Sequence, residues 1–512
     1  MNRFSIAFVV TALIAACCPP IPRATTPEPI AAPTPVEPTP PPVEPTPAPA
    51  PGLDWSVAGV PWDQVPAAWP ETPFTAPVPQ TFKLASGLAV VLVENHRLPL
   101  VSLRVIEHQA GSRGDGAKSG LAALTADMLD EGAGARGTLE LSEELERLGA
   151  DVTIGTAPDH AQVTIETMAE TLDPTVALLA DLLVRPRFGA ADFARVKAER
   201  KADLELRPDE PRQLVGLAFQ TVLFGKHPYG RSGAGYVGTL DKLTLADIKG
   251  FWKTHYGAAA TTIVVAGDVT RAQLEAMLGK HLGPWKVKVK AMAKVAPPAP
   301  PTPFIALLHR PGAPQSVVRL GRQAPAARAG TDADRAAADV ANMAVGGSFA
   351  SRLNTKLREQ LGYTYGAFSS YSRSQWAGSW QLTSSIRTDV TVAAIKEALT
   401  IIKDVGAQPL PAAELAKAKG LIQRSLPQDF ETNGGIAGAF AALVADGRPL
   451  TTYRDLPAAI GAVDLATAQA AAATWKDLVI VVVGDRDVIG KDRATLGLPV
   501  VAYEAEGRPE QK

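Results

Sequence analysis

At 512 residues the chain is too long for one hydrophobic core, so two or more domains are expected. Its 51 basic and 52 acidic residues leave a net charge of −1 with no basic stripe, which argues against a nucleic-acid partner. The only cysteines, Cys17 and Cys18, are adjacent, so the folded part has neither a structural disulfide nor a thiolate metal site.

The N-terminus reads as an export signal. Arg3 supplies a short positive region, and the apolar run 4–16 is shorter than a membrane span requires. The run ends in Ile14-Ala15-Ala16-Cys17, which resembles the lipobox of bacterial lipoproteins. The resemblance implies a signal peptide over 1–16 and acylation of Cys17. Cys18 rather than Asp follows, so by resemblance to the enterobacterial sorting rule the chain goes to the outer membrane, with its body in the periplasm. Residues 17–79 read as a proline-rich tether and lead-in. Between Pro19 and Pro51 there are 15 prolines in 33 residues, and Val-Glu-Pro-Thr-Pro occurs at 36–40 and 43–47. Such a segment favours extended polyproline II and reaches up to roughly 100 Å.

From residue 80 the pattern changes. Residues 82–93 read as two short strands around a Ser86-Gly87 turn, and 101–106 as a third. Residues 120–129 are apolar at helical spacing. Thr138 is expected to cap a helix whose Leu141, Leu145 and Leu148 form a stripe ended by Gly149. Strands near 151–154 and 161–167 precede helices at 172–183, 190–206 and after Pro211. Thr244 caps a helix to Tyr256, and 262–268 reads as a buried strand.

The order then repeats. His96-Arg97 matches His309-Arg310, Thr244-Leu-Ala-Asp247 matches Asp464-Leu-Ala-Thr467, and the strand ending in Asp268 matches the one ending in Asp485. The offsets of 213, 220 and 217 residues imply two copies of one α+β domain, at 80–290 and 304–512, joined by a linker at 291–303.

Six motifs in this order resemble the insulinase/pitrilysin family of zinc peptidases, the inverzincins. They are Leu84-x-x-Gly-Leu-x-Val90, Gly120-Leu-Ala122, Gly225-Lys-His-Pro-Tyr-Gly230, the Val-Val-Ala-Gly-Asp-Val strand ending at Val269, Gly347-Ser-Phe-Ala-Ser-Arg-Leu-Asn354 and Leu357-Arg-Glu-Gln-Leu-Gly-Tyr-Thr-Tyr-Gly366. The resemblance implies two homologous α+β domains, each an antiparallel-rich sheet packed with helices, forming half of a clamshell around a peptide chamber.

Active members carry His-x-x-Glu-His on an early helix, where two histidines share Zn²⁺ and the glutamate is the general base. Aligned without a gap, the histidine positions hold Ala123 and Asp127, and the base position holds Ala126. The distal glutamate ligand falls near Asp203 or Glu205. One or two carboxylates are too few for a tight zinc site. None of the seven histidines pairs with another at helical i, i+4 spacing, and His227 in the Gly-Lys-His-Pro-Tyr-Gly turn reads as structural. No catalytic residue and no cofactor are therefore expected on this chain.

Active members also hold the substrate backbone with an arginine and a tyrosine seven residues apart. Here Arg358 and Tyr365 have that spacing, with Tyr363 a competing tyrosine. Gly362 is expected to end the helix and let Tyr365 fold back beside Arg358, where both could donate to one oxygen. The family includes paired chains in which one binds zinc and the other contacts substrate without metal. Gly346-Gly347 resembles the start of a glycine-rich segment in such non-catalytic subunits, and equally fits a helix-ending turn. The expectation is a non-catalytic, substrate-binding subunit working with a zinc-bearing homologous chain. The alternative is a scaffolding protein that kept the fold and lost proteolysis.

Overall fold

Runs such as Thr262-Ile-Val-Val-Ala and Ile480-Val-Val-Val have no polar alternation, so each needs cover on both faces. In the computed structural model, which describes residues 74–490 and 493–510, these runs lie inside two six-stranded sheets. The expected signal peptide, Cys17 and the expected tether up to residue 73 lie outside the described residues.

The first sheet contains β1 (Gln80–Lys83), β2 (Ala89–Glu94), β3 (Leu100–Glu107), β4 (Asp151–Thr156), β5 (Ala161–Met168) and β6 (Thr261–Gly267), in the order β1-β2-β6-β3-β5-β4. The second contains β7 (Ile305–His309), β8 (Gln315–Ala324), β9 (Thr364–Arg373), β10 (Gly378–Arg387), β11 (Val479–Gly484) and β12 (Val500–Tyr503), in the order β12-β7-β11-β8-β10-β9. Five strands correspond in order and direction. The outermost position differs: β1 pairs antiparallel with β2, whereas β12, from the other end of the chain, pairs parallel with β7.

The first half carries helices α1 (Leu121–Asp127), α2 (Thr138–Arg147), α3 (Leu172–Val184), α4 (Ala190–Leu206), α5 (Pro211–Phe224), α6 (Val237–Leu240), α7 (Leu245–His255) and α8 (Arg271–Leu282). The second carries α9 (Asp332–Asn342), α10 (Arg352–Asn354), α11 (Thr391–Ala407), α12 (Ala412–Ser425), α13 (Asn433–Asp446), α14 (Thr452–Ala462) and α15 (Leu465–Ala472). The matched caps of α7 and α15 share one geometry with the partners exchanged. Thr244 Oγ1 accepts from Asp247 N–H, and Asp464 Oδ1 accepts from Thr467 N–H. The expected cap at Thr138 is off by one. Gly137 is the N-cap, Thr138 opens the helix, and the Glu140 carboxylate reaches back to Gly137 N–H at 2.8 Å.

One face of each sheet packs on helices of its own half. The other face is covered by exchange. Leu214, Ala218, Phe219 and Val222 of α5 pack on Leu308, Val317 and Val481 of the second sheet. Ile436, Ala437 and Phe440 of α13 pack on Val91, Val93 and Val264 of the first. Each fully buried large side chain contributes about 1.5–3 kcal/mol. This exchange is why β6 and β11 are buried along their whole length.

A polar junction fixes the halves. Asp159, buried with Arg113 at 3.0 Å, accepts from the Tyr229 hydroxyl at 2.6 Å and from Gln375 N–H at 3.1 Å. Trp376 N–H in turn donates to the Tyr229 oxygen at 3.2 Å. His227 Nδ1 accepts from Tyr229 N–H and so shapes the turn that delivers the phenol. The Gly-Lys-His-Pro-Tyr-Gly motif thus works as a clasp between the halves.

Candidate functional site

The early helix of the first half begins at Gly120, whose φ of 96° favours glycine. The Asp115 carboxylate accepts from Gly120 and Ala122 N–H at 2.9 and 2.8 Å, capping the free amides, and burial pushes its pKa up to about 7. One turn on, Ala123 and Ala126 are buried methyl groups. Asp127 is the remaining polar group of the three. Its Oδ2 accepts from Arg200 Nε of α4 at 2.6 Å. Burial raises the Asp127 pKa, the Arg200 charge opposes the rise, and Asp203 and Glu131 add to it.

The sequence placed the distal carboxylate at Asp203 or Glu205. The residue that hydrogen-bonds Asp127 from α4 is Arg200, while Asp203, three residues on and on the same face, acts on Asp127 through its charge alone. Asp203 lines the same cavity of about 730 Å³ as Asp127 and Arg200, and Glu205 pairs at 3.9 Å with Lys201. A zinc ion needs three or four donors. The motif positions offer two methyl groups and one carboxylate already bound to a guanidinium, so they do not fit the metal. Among the described residues, no group of three His, Cys, Asp or Glu side chains is arranged to hold one.

In the second half, α9 ends at Asn342, and the chain runs through Gly346 against β9. A Cβ on Gly346 would lie 2.4 Å from Ser369 Oγ, so the glycine is required by close packing. Asn342 ties this corner together. Its Oδ1 accepts from Ser369 Oγ and Trp380 Nε1, and its Nδ2 donates to Ser369 C=O.

Arg358 lies on a wide helical turn in which Leu361 N–H reaches back to Lys356 C=O. Gly362, at φ 60°, ends that turn as expected. Tyr363 packs against the core and is partly buried. Tyr365 is 88% exposed and makes no hydrogen bond among the described residues.

The expected fold-back of Tyr365 onto Arg358 is absent. The Arg358 guanidinium stacks 4.1 Å from the Phe349 ring and lies 3.7 Å from Glu359. The cause is a bulge in β9. Ala367 pairs with Ser384 but Thr364 pairs with Ile386, so β9 carries one extra residue, at Tyr365-Gly366. Thr364 Oγ1 pins it by donating to Ser385 C=O at 2.6 Å while accepting from Gly366 N–H and Ser384 Oγ. Bulges on edge strands re-aim side chains, and this one turns Tyr365 outward. Both site residues are thus accessible but not preassembled. Arg200, Phe349 and Thr364 escaped the sequence reading. Phe349 and Thr364 fall inside two of the motifs without a role being read for them, and Arg200 lies outside all six.

Residues 89–235 match the family described as insulinase (peptidase family M16), and residues 242–421 match the peptidase M16 inactive domain. An uncharacterized zinc protease of Mycobacterium bovis is 26% identical over 365 residues, 70% of this chain and 81% of its own length. A Helicobacter pylori protein named non-peptidase homolog YmxG is 26% identical over 67% of this chain and 78% of its own length. Among solved structures, a peptidase M16 inactive domain from Pseudomonas fluorescens superposes with a TM-score of 0.74 at 28% identity, covering 80% of this chain and 98% of its own. The two matched regions together span well over half the sequence, and the chain belongs to the insulinase family of peptidases, as a member without the catalytic metal ligands.

Proposed function

We propose that this chain is the non-catalytic, substrate-binding subunit of a two-chain periplasmic zinc metallopeptidase acting on peptides or unfolded proteins. The observation that carries the reading is the contrast between the two halves. In the first, Arg200 pairs with the last carboxylate of the motif beside two alanines. In the second, a bulge holds Tyr365 in solvent near a strand edge, where a buried structural tyrosine would gain nothing. A bound peptide carbonyl would draw the Tyr365 hydroxyl and the Arg358 guanidinium together, and zinc would sit on the homologous partner chain. Removing one such donor typically costs about 10²–10³ in rate. With a zinc-bearing homologue from the same organism, Arg358→Ala and Tyr365→Phe should each lower the pair's peptide hydrolysis by that factor while a pull-down still recovers both chains. Undiminished hydrolysis in both variants would remove the assignment, and a stable pair with no hydrolysis at all would favour the scaffolding role.

Anchoring to the outer membrane through Cys17 belongs to the same reading. Cys17→Ser should abolish palmitate labelling and release the protein from the membrane fraction. Labelling that persists in the variant would refute it.

A further inference from the structure

The internal repeat places matching grooves in the two halves. In the first, a groove runs between the end of β3, where Gln109 follows, and the C-terminal turn of α7. The linker fills it. Lys290 N–H donates to Thr254 C=O at 3.0 Å, and Met292 N–H donates to Gln109 Oε1 at 2.5 Å. The Met292 sulfur lies over Gly114, beside Phe251 and His255.

In the second half, by strand register, Arg322-Gln323-Ala324 matches Glu107-His108-Gln109, and α15 matches α7 through its exchanged cap. The corresponding groove is an open cavity of about 680 Å³. Its floor is the stacked pair Trp380 and Trp475, with centroids 4.5 Å apart, and Trp475 Nε1 donates to the Tyr371 hydroxyl. Ala337 and Ala338 of α9 and Ala470 and Ala471 of α15 form its walls. Small walls over an aromatic floor leave room for a chain where the first half has Phe251 and His255 covered by Met292.

The charge of this groove is one-sided. Arg322, Arg335 and Arg373 line it, against Asp334 alone among acidic residues. Arg373 is paired with Asp339 at 2.7 Å. Arg335 donates through Nη1 to Ala329, Gly330 and Thr331 C=O, and its Nε lies 3.7 Å from the Asp332 carboxylate. Arg322 donates only to Gln323 C=O, and among the described residues no carboxylate pairs with it.

We propose that this groove binds an extended acidic segment of a partner polypeptide, in the position the linker takes in the first half. The linker shows that the repeat accommodates an extended backbone at this place, and Arg322, the one lining arginine without a carboxylate partner among the described residues, selects the charge. The site is separate from Arg358 and Tyr365, and its test does not depend on their role.

The probe is a fluorescein-labelled peptide, acetyl-Ala-Glu-Val-Glu-Pro-Glu-Ala-amide, titrated with the full mature chain and followed by anisotropy. Its lysine-for-glutamate counterpart and palmitate serve as comparisons. The acidic peptide should bind, more weakly at higher salt, and the basic one should not. Arg322→Gln should weaken binding about tenfold. Ala470→Trp, on an exposed helical position, should fill the groove and abolish it, while Tyr365→Phe leaves it unchanged. A thermal melt checks the fold of each variant, and Arg322→Gln alone decides the matter if Ala470→Trp does not fold. Absence of binding, equal binding of both peptides, or indifference to these changes would overturn the proposal. Palmitate binding that excludes the peptide would overturn it too, making the groove a site for a small anionic amphiphile.

Discussion

A hydroxyl has one proton to give, and at Thr261 a carbonyl and a buried carboxyl compete for it. Thr261 Oγ1 lies 2.9 Å from Gly257 C=O and 2.9 Å from both oxygens of Glu107, which is fully buried. If Thr261 donates to the carbonyl, Glu107 must carry a proton and donate to Thr261. Burial favours the same outcome, pushing the Glu107 pKa from 4.5 up to about 8. The native state therefore holds a proton that the unfolded chain loses above about pH 4.5, and stability falls as pH rises from there to about 8, then levels off. Glu107→Gln keeps the donor and removes this component. Urea denaturation across pH 5–8 should show a shallower decline in the variant than in the parent chain. Parallel slopes would mean that Glu107 is ionised in the folded protein.

Among the elements, β9 shows what one bulge does. Thr364→Val leaves Gly366 N–H without its side-chain acceptor and Ser385 C=O without its side-chain donor, at a cost of about 1–3 kcal/mol, while Ser384 Oγ keeps Gly366 C=O. Without the pin, Tyr365 should lose its outward pose. A tyrosine-specific nitration assay should then find it protected, and a variant still fully reactive at Tyr365 would show that the bulge stands without the hydroxyl. The sequence carried much of the rest at this scale. Apolar spacing marked the helices, continuous β-branched runs marked the central strands, and Gly362 marked a helix end. The bulge was illegible because a one-residue slip in pairing depends on the partner strand β10, not on β9 alone. Arg200 was illegible for a similar reason. Which side of α4 faces α1 is a matter of helix rotation, and the weakly amphipathic sequence of α4 does not specify it. The repeat predicted two like domains but gave no sign that they trade helices, since an apolar stripe on α5 or α13 does not say which sheet it meets.

For the molecule as a whole, the exchange of α5 and α13 makes the halves one cooperative unit. The full chain should unfold in urea in a single transition. Residues 304–512 expressed alone would bare Leu308, Val317 and Val481, which α5 covers in the intact chain. That fragment should bind a hydrophobic dye strongly, and co-expression with the first half should suppress the binding. A dye-silent fragment that melts cooperatively would show that the second sheet needs no cover.

The same exchange sets a clock during synthesis. The first sheet is complete once Gly267 is made, yet its cover begins at Asn433. At roughly 5–20 residues per second, Val91, Val93 and Val264 wait on the order of 10–30 s for Phe440 and its neighbours. Over that interval the newborn chain presents a bare β-branched surface to any other chain nearby. Its yield in a cell therefore depends on whether a holding chaperone occupies that surface before α13 arrives.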